Sequence, residues 1–368
     1  MKKNLLLFVY AFFGLSILFG QTDGLATTVI PEENIPIDPN VKVGTLPNGL
    51  TYYIQNNGKP EDKVELRLAV NAGSIMETER QLGLAHFMEH MNFNGTTNFQ
   101  KNDLVDYLQS IGVKFGADLN AYTSFDETVY ILPIPSDDPE KLEKGFQILE
   151  DWAHNTTLSE EAIDGERGVV LEELRLRLGA EDRMQKVTLP KMMYGSRYAE
   201  RLPIGTKENL ENFSYDDVRD YYNTWYRPDL MAVIAVGDLD VATMESKIIE
   251  HFSNIEKPVN PVKRESYELP NHEETLIAIA SDKEAAFSRV QVLYKDRFEA
   301  PGVRTVNDFR NRLVKSLFST LINNRLDELR NSADPPFVFG FSSYGGTYAR
   351  TKNAYQSCVQ SSPEGQMK

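Results

Sequence analysis

The chain has almost no cysteine. Cys358, its one thiol, cannot close an internal disulfide, so an exported form would be held by its core alone. Cationic side chains are outnumbered, 39 Lys and Arg against 54 Asp and Glu, for a formal charge of −15 and a pI of about 4.9. No basic patch is visible, which excludes nucleic acid as a partner, because neutralising phosphates requires one. Long apolar runs are missing as well. The longest, residues 5–19, is broken by Gly14 and Ser16 and falls short of the ~20 residues that span a bilayer. Lys2 and Lys3 precede it and small residues follow between Gly20 and Ala26, the pattern of a removable export signal. Residues 1–26 are therefore expected to be a signal peptide, with no stable membrane insertion after its cleavage and the bacterial periplasm as destination. No cysteine follows the run, so lipid attachment there is excluded.

What is present points to a globular protein. Hydrophobic residues make up 41% and aromatics 10%, enough to build cores, and 368 residues suggest two domains rather than one. Histidine is scarce, five in the chain, yet two of the five fall four apart in Gly83-Leu84-Ala85-His86-Phe87-Met88-Glu89-His90-Met91. On a helix, His86 and His90 lie one turn apart and roughly 40° from each other around the axis. Glu89 hangs over the same side. The pattern H-x-x-E-H inverts the commoner H-E-x-x-H of zinc hydrolases. A hydrolytic zinc needs two or three protein ligands, an open position for water, and a carboxylate outside the ligand set to take the water's proton. The bland alternative, two histidines placed by accident on a solvent-facing helix, sits poorly with so few histidines. The motif lacks a third ligand, which must come from elsewhere.

Around this stretch the expected elements alternate. Residues 41–45 and 50–55 flank Pro47-Asn48-Gly49 and read as a hairpin. Val64, Leu66, Leu68 and Val70 alternate with Glu65, Arg67 and Ala69, a half-buried strand. A helix is expected over 103–111, strands over 115–122 and 127–133 with a turn at 123–126, and a helix over 140–154. Ser159 is a plausible N-cap for the next helix, which carries Ala162, Glu166, Val169, Val170, Glu173 and Leu174. A carboxylate among the apolar members of a helix face must be paired or bound to a cation. Glu166 is the candidate third ligand on that ground, and helix phase alone leaves open a surface ion pair with Arg167. Further helices are expected over 214–226 and 241–255, with a strand over 231–236 between them. Residues 257–264, with Pro258 and Pro261, read as a linker. Strands over 275–280 and 290–294 and a helix with Val306, Phe309, Leu313, Leu317, Phe318, Leu321 and Leu329 follow, without a second H-x-x-E-H. This second unit stops early, as a truncated chain or a fragment would.

Together with Phe93 and Gly95-Thr96, the stretch Gly83–Met91 closely resembles the signature of the insulinase/pitrilysin family of zinc peptidases, the inverzincins of peptidase family M16, in their periplasmic bacterial type. The resemblance continues through Asn120-Ala121-Tyr122-Thr123, Thr128-Val129-Tyr130, the run Glu166-Arg167-Gly168-Val169-Val170-Leu171-Glu172-Glu173, Pro203-Ile204-Gly205 and Trp225-Tyr226-Arg227-Pro228. It implies an α+β fold of repeated two-layer domains, each a mixed or antiparallel sheet with helices on one face, here over 41–256 with the metal motif and 265–368 without it. It implies one zinc ion per chain on His86, His90 and the Glu that opens the E-R-x-x-V-x-E-E run, which falls on Glu166, 76 positions beyond His90. Glu89 would be the catalytic base of a metalloendopeptidase cutting peptides or small unfolded proteins. Asn120 and Ala121 would lie on the edge strand to which a peptide adds itself. Many members carry another acidic residue seven before the ligand, and that position here is Ser159. A second half or subunit, closing like a clam shell, would supply an Arg and a Tyr for the oxyanion, and no residue of this sequence identifies that pair. The rival readings are a catalytically inactive peptide-binding or partner subunit and a structural zinc site, the latter disfavoured by three ligands without cysteine.

Overall fold

The computed structural model describes residues 33–114, 116, 120–297 and 302–361. The expected signal peptide lies outside them, as does part of the strand expected over 115–122. The chain divides into two compact units, residues 1–35 with 303–314, and 36–302 with 315–368. In the described part of the small unit, Ile35 N–H donates to the Arg304 carbonyl (2.8 Å) and Val306 N–H to that of Glu33 (2.9 Å). The site lies in the large unit.

Its sheet grows from the alternation read in the sequence. Strands β1 (Val41–Thr45), β2 (Thr51–Asn56), β3 (Lys63–Val70), β4 (Asn120–Thr123), β5 (Thr128–Pro135) and β6 (Met231–Gly237) lie in the order β1-β2-β6-β3-β5-β4. Only β2 and β6 run parallel among these neighbours. The hairpin before β2 turns at Gly49, whose φ of 99° favours glycine. Register puts Tyr52, Val233, Leu68, Tyr130 and Ala121 in one row. Tyr52, Val233, Leu68 and Tyr130 are buried, whereas Tyr53 on the opposite face is 41% exposed. Period-two burial therefore separates a covered face from an open one.

Helices cover the first of these faces. The helices of the unit include α1 (Leu84–Met91), α2 (Asp103–Ser110), α3 (Pro139–His154), α4 (Glu160–Arg177), α5 (Ala180–Met192), α6 (Lys207–Asn212), α7 (Tyr215–Trp225) and α8 (Val241–Phe252). α3 packs on β3 and β5 and α8 on β2. α3 comes so close that a Cβ on Gly145 would meet the Ile134 side chain at 2.9 Å. Short polar side chains start the helices by accepting orphan N–H groups: Ser159 from Ala162 at the head of α4, and Ser214 in a reciprocal capping box with Asp217 before α7. α1 packs against β4, α4 and α7, which fixes where the H-x-x-E-H stretch points.

The later part of the chain is thinner. β7 (Ser288–Lys295), β9 (Asn353–Ser361) and β8 (Phe339–Gly346) form an antiparallel sheet in that order, and α9 (Val306–Arg330) has no buried residue. The strand expected over 275–280 is absent; Ile277 and Ile279 are 72% and 85% exposed. Alternating apolar residues make a strand only where a neighbour offers hydrogen bonds, and none pairs with this segment among the described residues. The strand expected over 115–122 is described as Asn120–Thr123. The architecture is α+β, a mixed sheet with helices on one face, as the sequence implied.

Candidate metal centre and active site

α1 begins at Gly83, φ 99°, without a side-chain cap of its own. Glu77, six residues upstream and fully buried, takes that role: its carboxylate accepts from Gly83 N–H (3.0 Å) and Ala85 N–H (2.8 Å). Burial pushes its pKa up to about 8 against these hydrogen bonds. The loop through Pro203, Ile204 and Gly205 lies backbone to backbone on the same helix start. A Cβ at Gly205 would stand 2.5 Å from the Gly83 Cα, which no side chain permits.

With α1 so fixed, the His86 and His90 rings lie 4.7 Å apart, centroid to centroid, at 73°. Their Nε2 atoms face one carboxylate oxygen, Glu173 Oε2, at 3.7 Å from His86 and 3.4 Å from His90. One donor atom from each of these three residues lies within 4.8 Å of the other two, the convergence that a single ion requires. Arg177, one turn on, pairs with the other oxygen of Glu173 and leaves Oε2 to the rings. The donor set, two imidazole nitrogens and a carboxylate oxygen, suits zinc. Burial, helped by the neighbouring His90, lowers the His86 pKa to about 4, which keeps the ring in the neutral form that binds metal.

Glu166, expected as the third ligand, is not in this cluster. Its Oε1 lies 2.8 Å from His90 Nδ1, on the far side of that ring, and its Oε2 accepts from Asn94 Nδ2 at 2.7 Å. Glu166 and Glu173 are seven residues apart on α4, so they share a face, roughly 20° apart, but stand about 10 Å apart along the axis. Glu173 is level with the Nε2 atoms and Glu166 is level with Nδ1. Glu166 therefore orients the ring: with Nδ1–H donating to the carboxylate, His90 turns its Nε2 lone pair inward. Burial works against a charge on His90, and the hydrogen bond and charge of Glu166 outweigh it, so its pKa is raised. The acidic residue seven before Glu173 is Glu166 itself, and Ser159 serves as the helix cap.

Glu89 stands outside the three-donor cluster. Its Oε2 accepts from Thr123 Oγ1 at 2.5 Å, and burial raises its pKa against that hydrogen bond. His86, Glu89, His90 and Glu173 share the wall of a cavity of about 310 Å³ with Ala121, Tyr122, Thr123, Arg177, Pro203 and Ile204. Edge strand β4 thus borders the cavity through 121–123. Asn120 is exposed beside it and accepts from Ala121 N–H at 2.9 Å. The sequence alone did not bring Glu173 to the two histidines, showed Thr123 only as a turn and motif residue, and did not single out Arg177, Asn94 or Glu77. The seven-residue pair of glutamates was the one signal available for the first. Thr123 and Asn94 act through contacts 34 and 72 residues apart in sequence, which no local pattern announces, whereas Arg177 and Glu77 lie four and six residues from their partners.

With this geometry established, comparison with known proteins gives consistent matches. Residues 52–198 match the family described as Insulinase (Peptidase family M16), and 212–347 match the Peptidase M16 inactive domain. The chain is 40% identical over 295 residues to the zinc protease PQQL-like of Arabidopsis thaliana, covering 80% of this chain and 31% of that one. It is 32% identical over 326 residues to the probable zinc protease PqqL of Escherichia coli K12, covering 86% and 34%. Among solved structures, the first half of the periplasmic protease PqqL from Escherichia coli superposes with a TM-score of 0.78 at 30% identity, covering 89% of this chain and 70% of that one. The chain spans about a third of the length of the curated relatives it matches. The motif residues, the sheet order and these matches agree, and the chain belongs to peptidase family M16, the insulinase family.

Proposed function

We propose that this chain is the metal-bearing part of a zinc-dependent endopeptidase that cuts peptides or small unfolded proteins, exported to a bacterial periplasm. His86, His90 and Glu173 would hold one Zn²⁺, with Glu166 and Arg177 orienting two of these ligands. Bound there, zinc supplies Lewis acidity and lowers the pKa of its water. The observation that carries the reading is Glu89: a carboxylate outside the ligand set, held by Thr123, in the cavity that the three donors share. Such a group takes the proton of the attacking water and returns it to the leaving amine, without a covalent intermediate. Burial, by raising the Glu89 pKa, brings it nearer the range in which a base both accepts and releases a proton. The extended peptide would lie along β4 at Asn120 and Ala121, held through backbone hydrogen bonds that do not read its sequence. On this reading the metal-bearing domain occupies 41–256 and a metal-free M16-like domain starts at 265. A second half or subunit completes the chamber and supplies oxyanion stabilisation, which elsewhere is worth about 3–4 kcal/mol.

The test is to incubate the chain with a random peptide mixture, with and without chelator, and to read the products by mass spectrometry. Chelator-sensitive cleavage is expected, with Glu89→Gln retaining zinc and losing turnover. Full cleavage by Glu89→Gln would overturn the role of Glu89. Zinc binding at one equivalent without any cleavage would favour the inactive-partner reading instead.

A further inference from the structure

The later part of the chain meets the turn 124–127 that joins β4 to β5. β4 is four residues long and pairs with β5 on one side only among the described residues, with α1 packed against it, so its placement depends on α1, on β5 and on this turn. From the metal-bearing side the turn is seated on a backbone shelf. Ser74 N–H donates to the Ser124 carbonyl (3.1 Å) and Ile75 N–H to that of Phe125 (2.8 Å). A Cβ at Gly73 would lie 2.2 Å from the Ser124 oxygen, so only glycine lets the turn come this close. From the other side three groups grip it. Arg264, at the end of the 257–264 segment, donates through Nη2 to Asp126 Oδ1 (3.1 Å) and through Nε to the Asn71 carbonyl (2.7 Å), tying the turn to the end of β3. Arg350, in the loop between β8 and β9, forms an ion pair with Glu127. The Tyr348 ring from the same loop meets the Phe125 ring edge-on at 5.9 Å.

We infer that Arg264 and Arg350 are positioning residues: through the turn 124–127 the 257–264 linker and the metal-free region that follows it set the height of β4, and with it the strand that receives the peptide. The inference rests on the proposal that β4 binds substrate, and it gives the region without metal ligands a part in peptide binding. Neither arginine touches the cavity. Their effect reaches it along a four-residue strand whose last residue, Thr123, also holds Glu89.

The experiment is a charge exchange in the 368-residue chain. Arg350→Glu, Glu127→Arg and the double variant are compared for KM and kcat on a fluorogenic peptide, zinc affinity by competition with a chromophoric chelator, and amide exchange of 120–128. Each single reversal should raise KM about five- to tenfold, the order expected when one partly exposed ion pair is lost and reversed, with a smaller change in kcat through Thr123 and zinc affinity unchanged. Amide exchange at 121–123 should quicken in both. The double variant should restore KM and protection. Unmoved KM and exchange, a joint fall of kcat and zinc affinity, or failure of the double variant to restore them would overturn the inference. If the parent chain cuts no peptide, the proposed function fails while the exchange measurement still decides whether the turn is clamped.

Discussion

The two sheets show what a region needs before it can hold an ion. In the six-stranded sheet, central strands β3 and β6 have partners on both sides, and one face lies under α3, α8 and α1. Phe146, Leu66 and Ile54 on or against that face are fully buried. In the three-stranded sheet β7 is an edge, Val290 and Val292 are 52% and 44% exposed, and no residue of α9 is buried. Ligands must hold their places to within a fraction of an ångström, and side chains do so only when packing locks the elements that carry them. The first region does this for α1 and α4. The second offers a long helix of good period, none of whose residues is buried although Phe318 meets Tyr355 of β9 at 5.8 Å, and its sequence carries no H-x-x-E-H.

Breaking the site should have the largest effect. Glu173→Gln is expected to remove zinc at stoichiometric concentration and to abolish cleavage, read by metal analysis after dialysis. Retained zinc in that variant would restore Glu166 as the ligand. Next comes the packing itself. Phe146→Ala should cost about 3–5 kcal/mol of stability, whereas Phe318→Ala in α9, 49% exposed, should stay within about 0.5 kcal/mol in urea unfolding. Equal costs would abolish the contrast between the regions. Glu166→Gln is expected to weaken zinc binding by about 10–100-fold and leave the stoichiometry at one, as loss of an orienting partner does. The smallest effect concerns pH and the α3–α8 contact, which has no counterpart in the second region. His251 lies between Glu150 (2.7 Å) and Glu143 (3.2 Å). Burial opposes its protonation, but the two carboxylates prevail and raise its pKa above the ordinary 6.5. Its contribution is therefore complete below pH 6.5 and is lost as pH rises through the raised value. Glu150 goes the other way: although burial pushes it up, hydrogen bonds with His154 and His251 bring it to about 2. Its share is present above about pH 4.5 and is lost as pH falls towards 2. The Tm of the parent should decline by about 1 °C relative to His251→Gln as pH rises from 6 to 8. Parallel curves would remove the pair from the account.

Much of this was legible in the sequence because it rests on local period. Val64 to Val70 alternate and become β3, Asn48-Gly49 turns the first hairpin, and His86, Glu89 and His90 meet because they share one turn of helix. The family followed from the same stretch. The sequence pointed to Glu166 while Glu173 lies in the three-donor cluster, and the reason is physical: a helical wheel records angle and is blind to translation, and two residues seven apart coincide on it. Thr123 was read as a turn residue, yet it ends β4 and holds Glu89, because element ends are decided by pairing partners rather than by propensity. The strand read over 275–280 has the right residues and lacks a neighbour. Arg264 and Arg350 were invisible for the reason that applies to most ion pairs: their partners lie 138 and 223 positions away.

The meeting of Gly83 and Gly205 fixes more than the start of α1. Where two main chains touch with no side chain between them, neither can swing without carrying the other, so the loop at 203–205 and the histidine helix are one rigid jaw. The cavity between that jaw and β4 is then bounded by side chains, Pro203 and Ile204 on the jaw and Tyr122 on the strand, rather than by a hinge. On the proposed function, the room beside the histidines for a bulky residue of a guest chain would then be set by fixed side chains rather than by a moving gate.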